Sequence, residues 1–440
     1  MTAKKIILGY IALRPVLATM YNINIAGGFN VLEISGLLFP VFLFGYWAVK
    51  NFPIENRNLT LFFMLVILWV AFSGLITSFN DRHIYDFASL APLVRILNGF
   101  AVFLVFPLVF KTREDFRQLL LVFIIGSIFP LLQGTLQALG ISLGGLLQSS
   151  ASRHETYATK YIIYYGMYYK NDGYIMASLF GSLAAMFFIF YNRKNKEQTP
   201  MILYVLLSFY FIVATLTLGR TLFFILFLLY VGLFHKYIIR PYGLIILGIV
   251  TVIALMTPYV QDRYDSIMTR SQQEFGSLSG ERKSREAFNG RMGLWQRKLA
   301  IYAKKPILEK LVGSGTIRIG KHSDYVSWYL AYGIIGFLFY ILLWSWLLIR
   351  ALRLYLLSKS YGNPFYESAA LLAIFSIAAW ILTAVTFNPS NYPDYAYFIL
   401  GTTAITFSLG KQHFGKNNIS RPDSTSFYGP EHSHRNYFTI

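Results

Sequence analysis

Apolar runs of about 20 residues recur along nearly the whole chain, and no other feature restricts the possible folds so severely. A helix of that length is about 30 Å long, the thickness of a bilayer's hydrocarbon core, where every backbone polar group must find its partner within the protein. The sequence therefore predicts an all-α, polytopic membrane protein of about 12 transmembrane helices. Their expected spans are roughly 6–23, 31–49, 58–79, 87–110, 116–138, 173–191, 200–218, 221–238, 241–257, 326–350, 367–387 and 394–410. Alternation of the kind a β-barrel needs is absent. With 55% hydrophobic residues, 13% charged residues and a mean hydropathy of +0.50 over 440 residues, the chain is too apolar for a soluble fold of this size.

The distribution of charge sets the expected orientation. Loops after even-numbered spans carry Lys50 and Arg57; Lys111, Arg113 and Arg117; Arg193, Lys194 and Lys196; Lys236 and Arg240; and Arg350, Arg353 and Lys359. The short loops on the other side offer little beyond Arg82 and Arg220, so both termini are expected in the cytoplasm. Lys4-Lys5 before the first run, interrupted by Arg14-Pro15 with no small-residue cleavage site after it, reads as an uncleaved first span. The formal charge of +19 follows from this loop bias, which excludes nucleic acid as the partner. The organisation expected is helices 1–9 over residues 1–257 with an outer loop near 139–172, a large outer loop at 258–325, helices 10–12 at 326–410, and a cytoplasmic tail at 411–440. The large loop holds 13 Lys and Arg against 7 Asp and Glu, and at 68 residues it is long enough to escape the positive-inside rule.

Most of the polar chemistry falls in that loop. After Asn289-Gly290, the residues Met292, Trp295, Leu299 and Tyr302 recur at helical spacing until Pro306, with Arg291, Arg297, Lys298, Lys304 and Lys305 on the other face. This predicts an amphipathic helix suited to a membrane surface. Val312-Gly313-Ser314-Gly315 and then His322-Ser323-Asp324-Tyr325 follow, directly before a long apolar run. Upstream, Met201–Phe234 would be about 51 Å long as one helix. It is expected to turn at Gly219 and put Arg220 at the tip of a hairpin, away from the bilayer centre where arginine is costly.

Several chemistries are excluded by the residues themselves. No phosphate-binding loop or dinucleotide fingerprint occurs, the spans hold few acids for a proton relay, and Asp262 and Asp265 lack companions for a divalent metal site. Cysteine is absent, so thiol and disulfide chemistry are excluded as well. Arginines and a histidine at a water–lipid boundary suit a phosphorylated, lipid-linked substrate whose diphosphate is neutralised by guanidinium groups.

Arg291 and Trp295, Pro306-Ile307, Gly313-x-Gly315, His322-Ser323-Asp324-Tyr325 and Gly333-Ile334-Ile335-Gly336 together resemble the signature of the bacterial O-antigen polymerase and O-antigen ligase superfamily. Arg220 within Leu-Gly-Arg-Thr and the opening Leu13-Arg14-Pro15 are similar to features of the same proteins. Ser323 departs from the asparagine common after the histidine, and Glu309-Lys310-Leu311 is inserted near the usual Pro-Ile-Gly-x-Gly step. The resemblance implies a metal- and nucleotide-independent glycosyltransferase of the bacterial inner membrane, with its active site on the periplasmic side and no cofactor. It implies polymerisation of undecaprenyl-diphosphate-linked repeat units, with a chain-length regulator and a flippase as companions. A ligase acting on lipid A core or protein is the alternative, and a polysaccharide or lipid-linked sugar transporter is the alternative of another class. In this scheme His322 is the catalytic base and Arg220 and Arg291 bind the diphosphate. Arg153, His154, Lys160, Trp295 and Tyr325 are candidate substrate contacts. Each also has a plainer reading: His322 as a helix cap, Arg291 and Arg220 as interfacial anchors, and Arg153, His154 and Lys160 as solvated loop charges, the reading preferred for those three.

Overall fold

The structure, a computed structural model, describes residues 2–19, 24–26, 29–80, 87–138, 151–156, 159–164, 171–217, 291–314 and 323–417, with isolated helical residues between 226 and 279. Helices occupy every expected span that falls on these residues. They are α1 (Ala3–Thr19), α2 (Val31–Val49), α3 (Arg57–Asn80), α4 (Phe87–Val109), α5 (Arg113–Ala138), α6 (Asn171–Lys194) and α7 (Met201–Thr217) in the first part of the chain. After them come α8 (Arg291–Ala303), α9 (Ile307–Val312), α10 (Asp324–Ser360), α11 (Pro364–Thr386) and α12 (Gly401–Asn417). The spans expected at 221–238 and 241–257, the corner at Gly219, most of the large loop and the tail from 418 lie outside the described residues.

Four described helices are long and apolar enough to cross a membrane: Arg57–Ile76, Ile175–Lys194, Asp324–Ser360 and Pro364–Val385. Three shorter apolar segments, Glu33–Val49, Leu93–Val109 and Met201–Phe211, accompany them. The helical class is joined by two short antiparallel hairpins that periodicity alone does not predict. One pairs β1 (Asn24–Ala26) with β2 (Phe29–Asn30); the other pairs β3 (Ala151–Thr156) with β4 (Thr159–Tyr164).

α4, α6, α11 and the chain from Tyr395 through α12 are buried along much of their lengths, so they form the centre of the bundle. α3 keeps Leu61, Leu65, Leu68, Phe72 and Leu75 exposed, the mark of a helix with one face turned to lipid. Stacked aromatic rings lock the centre: Phe180 stacks on Phe398 at 4.8 Å and Trp344 on Trp380 at 4.3 Å. One end of the bundle collects the loop cations. There Lys4 pairs with Asp115, Lys194 with Glu367 at 2.8 Å, Arg350 donates to Asn56 at 2.9 Å, and Arg113 lies over the Tyr366 ring at 4.9 Å. The start of α10 and the end of α11 lie at the other end, called here the motif end.

Candidate functional site

The Ser323-Asp324-Tyr325 step at the start of α10 is stitched to the end of α11 by almost every polar group it has. Ser323 caps the helix, accepting from the Val326 amide at 3.4 Å, and its hydroxyl donates to the Ala384 carbonyl at 3.2 Å. The Asp324 amide donates to the Phe387 carbonyl at 3.1 Å. Its fully buried carboxylate accepts three hydrogen bonds: from the Ser390 amide at 3.0 Å, the Ser390 hydroxyl at 2.6 Å and the Tyr340 hydroxyl at 3.1 Å. Trp380 in turn donates to the Tyr340 oxygen at 2.9 Å. A buried carboxylate is tolerable where several donors and a helix N-terminus replace its water. Asn388 donates to Ser327 at 2.9 Å, and Tyr325 gives its hydroxyl hydrogen to the Ile381 carbonyl at 3.0 Å. Tyr325 is thereby a helix-to-helix tie in this structure, half-buried, and the substrate contact expected of it is a separate role.

Nine residues further along, α10 breaks. Gly333 has φ 68° and ψ −173°, a conformation open to glycine and strained for other residues. The break lets the chain after α9 cross α10 backbone to backbone: a Cβ on Gly333 would lie 2.1 Å from the Leu311 carbonyl oxygen, and one on Gly313 would lie 2.3 Å from that of Ala331. Carbonyls released at the break must be satisfied at bilayer depth. Leu330 accepts from the Ser314 amide at 3.1 Å and its hydroxyl at 3.0 Å, and Tyr332 accepts from the Trp69 indole at 2.9 Å. Ser73 shares its single hydroxyl hydrogen between the carbonyls of Val312, at 2.7 Å, and Ala331, at 3.1 Å. Gly336 completes the set, since a Cβ there would meet Tyr332 Cβ at 2.3 Å. Gly313 and Gly333 are thus requirements of one crossing.

The pair α8–α9 rests on this crossing. Trp295 is buried and Arg291, at the first position of α8, is half-buried. Among the residues expected to face inward, Trp295 and Tyr302 do so, whereas Leu299 is exposed and Gly293 takes the remaining buried position. Tyr302 donates to the Glu309 carbonyl at 2.8 Å with Lys310 O at 3.3 Å, folding α8 back onto α9, and its ring meets Tyr329 at 5.2 Å. Burial pushes its hydroxyl pKa above the ordinary tyrosine value. Pro306, expected to stop a helix, also starts one: it is the N-cap of α9, and the inserted Glu309-Lys310-Leu311 forms the body of that helix. Lys305 pairs with Glu309 at 2.6 Å along it.

The other nominated residues fall elsewhere. His322 and Arg220 lie outside the described residues. Arg153, His154 and Lys160 occupy β3–β4, where Arg153 is opposite Ile162, His154 opposite Tyr161 and Glu155 opposite Lys160; adjacent positions 153 and 154 therefore belong to opposite faces of the hairpin. Among the described residues no three His, Asp or Glu converge as a metal-binding group.

Sequence reasoning gave too little weight to two arginines inside spans. Arg14 is buried; its Nε donates to Asp394 at 2.9 Å and its Nη1 to Ser35 at 3.2 Å. Arg95 on α4 interacts electrostatically with Tyr392, Tyr332 and Glu33, beside the stitched turn. The signal is present in the sequence: an arginine within an apolar run either snorkels to the interface or pairs internally.

No curated protein matches the chain. Residues 203–341 match the family model described as O-Antigen ligase, a stretch that takes in most of α7, the α8–α9 pair and the first half of α10 with its break, and this match supports the resemblance to the O-antigen polymerase and ligase superfamily.

Proposed function

We propose that the protein polymerises undecaprenyl-diphosphate-linked oligosaccharide repeat units into O-antigen or a related surface polysaccharide, on the periplasmic side of the inner membrane. The observation that carries this reading is the coincidence of the family match with the crossing at Gly313 and Gly333 and the stitched turn at Ser323-Asp324. Ser314 and Ser323, the described residues on either side of 315–322, are each bonded to a spanning helix.

In the proposed reaction the acceptor hydroxyl attacks the anomeric carbon of the donor sugar. The new carbon–oxygen bond forms as the bond to the diphosphate breaks. His322 takes the hydroxyl proton, and the departing lipid diphosphate carries away the bonding pair, its charge met by Arg220 and Arg291. A base so placed contributes about 10²–10⁴-fold in rate. Transfer from purified lipid-linked donor, followed across pH, tests the assignment. His322→Ala and His322→Gln should both be slow, and a wild-type rate in His322→Gln would remove His322 from the chemistry.

A ligase that hands finished glycan to lipid A core or protein is the second reading, favoured by the description of the matched family. Gene deletion separates the two. Loss of a polymerase leaves single repeat units on core lipid and abolishes the long ladder, whereas loss of a ligase leaves long polymer on the carrier lipid. The orientation, with both termini cytoplasmic, is supported by the gathering of Lys4, Arg113, Lys194 and Lys411 at the end opposite the stitched turn. Alkaline phosphatase fused within 258–325 should be active, and fused to the tail inactive. A chain-length regulator and a flippase are the partners this function calls for.

A further inference from the structure

We propose that the α8–α9 pair is a wedge in the membrane leaflet at the motif end, held there by anionic lipid head groups. Ile307 is 73% exposed, Ile301 65%, Leu308 61% and Leu311 38%, so nearly the whole outward face of α9 and the last turn of α8 is apolar. α9 packs on α10 through the Gly313–Gly333 crossing and α8 is folded back on it by Tyr302, so that face is turned away from the protein it packs on.

Depth argues that lipid covers it. The α9 C-terminus touches Ala331 and Gly333, seven to nine residues after Asp324, which is about 10–13 Å along α10. α10 is apolar from Val326 to Ile349, so that contact lies within the hydrocarbon-matched part of the helix. The exposed face also continues that of α3: Ser73 bonds the Val312 carbonyl, and Phe72 and Leu75 next to it are exposed. α9 therefore extends a surface that already faces lipid.

Charge argues for the kind of lipid. Lys304 and Lys305 stand at the α8–α9 corner and Lys310 on α9, with Glu309 as the one acid between them. Lysines on flexible stems around an apolar face are suited to phosphate head groups above acyl chains. This inference goes beyond the proposed reaction and does not depend on it.

The absence of cysteine from the chain makes the test direct. The full-length protein carrying Ile307→Cys, labelled with an environment-sensitive dye, is placed in nanodiscs of phosphatidylcholine with and without phosphatidylglycerol. Gln296→Cys on the exposed face of α8 is the aqueous control. Emission at 307 should be quenched by spin label on lipid acyl chains and not by iodide, with the reverse at 296. Quenching by iodide at 307 would overturn the wedge, and protection from both quenchers would do so too, because another part of the chain would then cover the face. Phosphatidylglycerol should deepen the acyl-chain quenching at least twofold. That dependence should disappear in Lys304→Gln/Lys305→Gln/Lys310→Gln, and if it persisted the head-group part of the proposal would fail.

Discussion

Gly333 shows how much a single residue holds. Replacing it with alanine sets a methyl group 2.1 Å from the Leu311 carbonyl oxygen on a backbone of positive φ, and the two penalties together come to about 2–5 kcal/mol. Gly333→Ala and Gly313→Ala should therefore lower the unfolding midpoint in detergent by several degrees. Gly45→Ala, in α2 with nothing within 4 Å of the added carbon, should raise it slightly through helix propensity. Equal midpoints for all three would mean that the crossing is not a stabilising feature. The sequence shows these glycines as a pattern; it does not show why they matter, because the partner backbone comes from a helix that the pattern alone would not predict. Charge shape is the other test at this scale. If Arg220 and Arg291 grip a diphosphate through paired donors, Arg→Lys at either position keeps the charge and loses the planar fork. Polymer levels should then fall in both variants at normal protein abundance, and wild-type levels would make the two arginines anchors.

Individual elements were legible where one rule dominated. Apolar length gave the spanning helices, because nothing else can pay for burying 20 residues of backbone in lipid. Where two rules met, the reading was incomplete. Pro306 both ends one helix and caps the next, and 306–312 is too short for periodicity to register. The hairpin β3–β4 carries tyrosines that suit a strand and an interfacial belt equally well. The last helix offers a test of its own. His413, just past the apolar part of α12, stacks on Tyr366 at 4.6 Å and has its Nε2 3.3 Å from the Asn363 amide nitrogen. Burial and the nearby Arg113 hold its pKa below the ordinary imidazole value, which is about 6.5. The unfolded chain then binds the proton more readily than the folded one. Stability from this contact is complete above about pH 6.5 and is lost as pH falls through that value toward the folded-state pKa. Unfolding midpoints measured between pH 7.5 and pH 5, on the order of the range this residue titrates over, should fall more steeply for the wild type than for His413→Gln. Parallel curves would place the acid sensitivity elsewhere.

Over the whole molecule, alternating loop charge could be read residue by residue, and the structure brings Lys4, Arg113, Lys194 and Arg350 to one end of the bundle. The pairing that joins the chain's beginning to its end could not be read, because Arg14 and Asp394 are separated by 380 positions and no local rule connects them. Together they tie α1 to the turn leading into α12, with Ser35 of α2 as a third point of attachment. The Arg14 side chain is 6% exposed and that of Asp394 25%, so each ion has lost most of its water and depends on the other. Removing one partner of such a pair costs about 3–5 kcal/mol, since the remaining charge stays buried without its counter-ion, whereas removing both costs much less. Arg14→Gln alone and Asp394→Asn alone should each lower the unfolding midpoint strongly, with Asp394→Asn the worse because the charge it leaves behind, on Arg14, is the more deeply buried of the two. The double variant should recover a large part of the loss, an interaction energy of about 1–3 kcal/mol in the cycle. Recovery of stability can then be compared with recovery of polymer formation. If the double variant folds as well as the wild type and also makes polymer, the pair serves only to close the bundle. If it folds and makes none, the charge at Arg14 contributes to the reaction as well. Additive losses in the two single variants, with no recovery in the double, would show that the contact between α1 and the turn leading into α12 does not hold in the membrane.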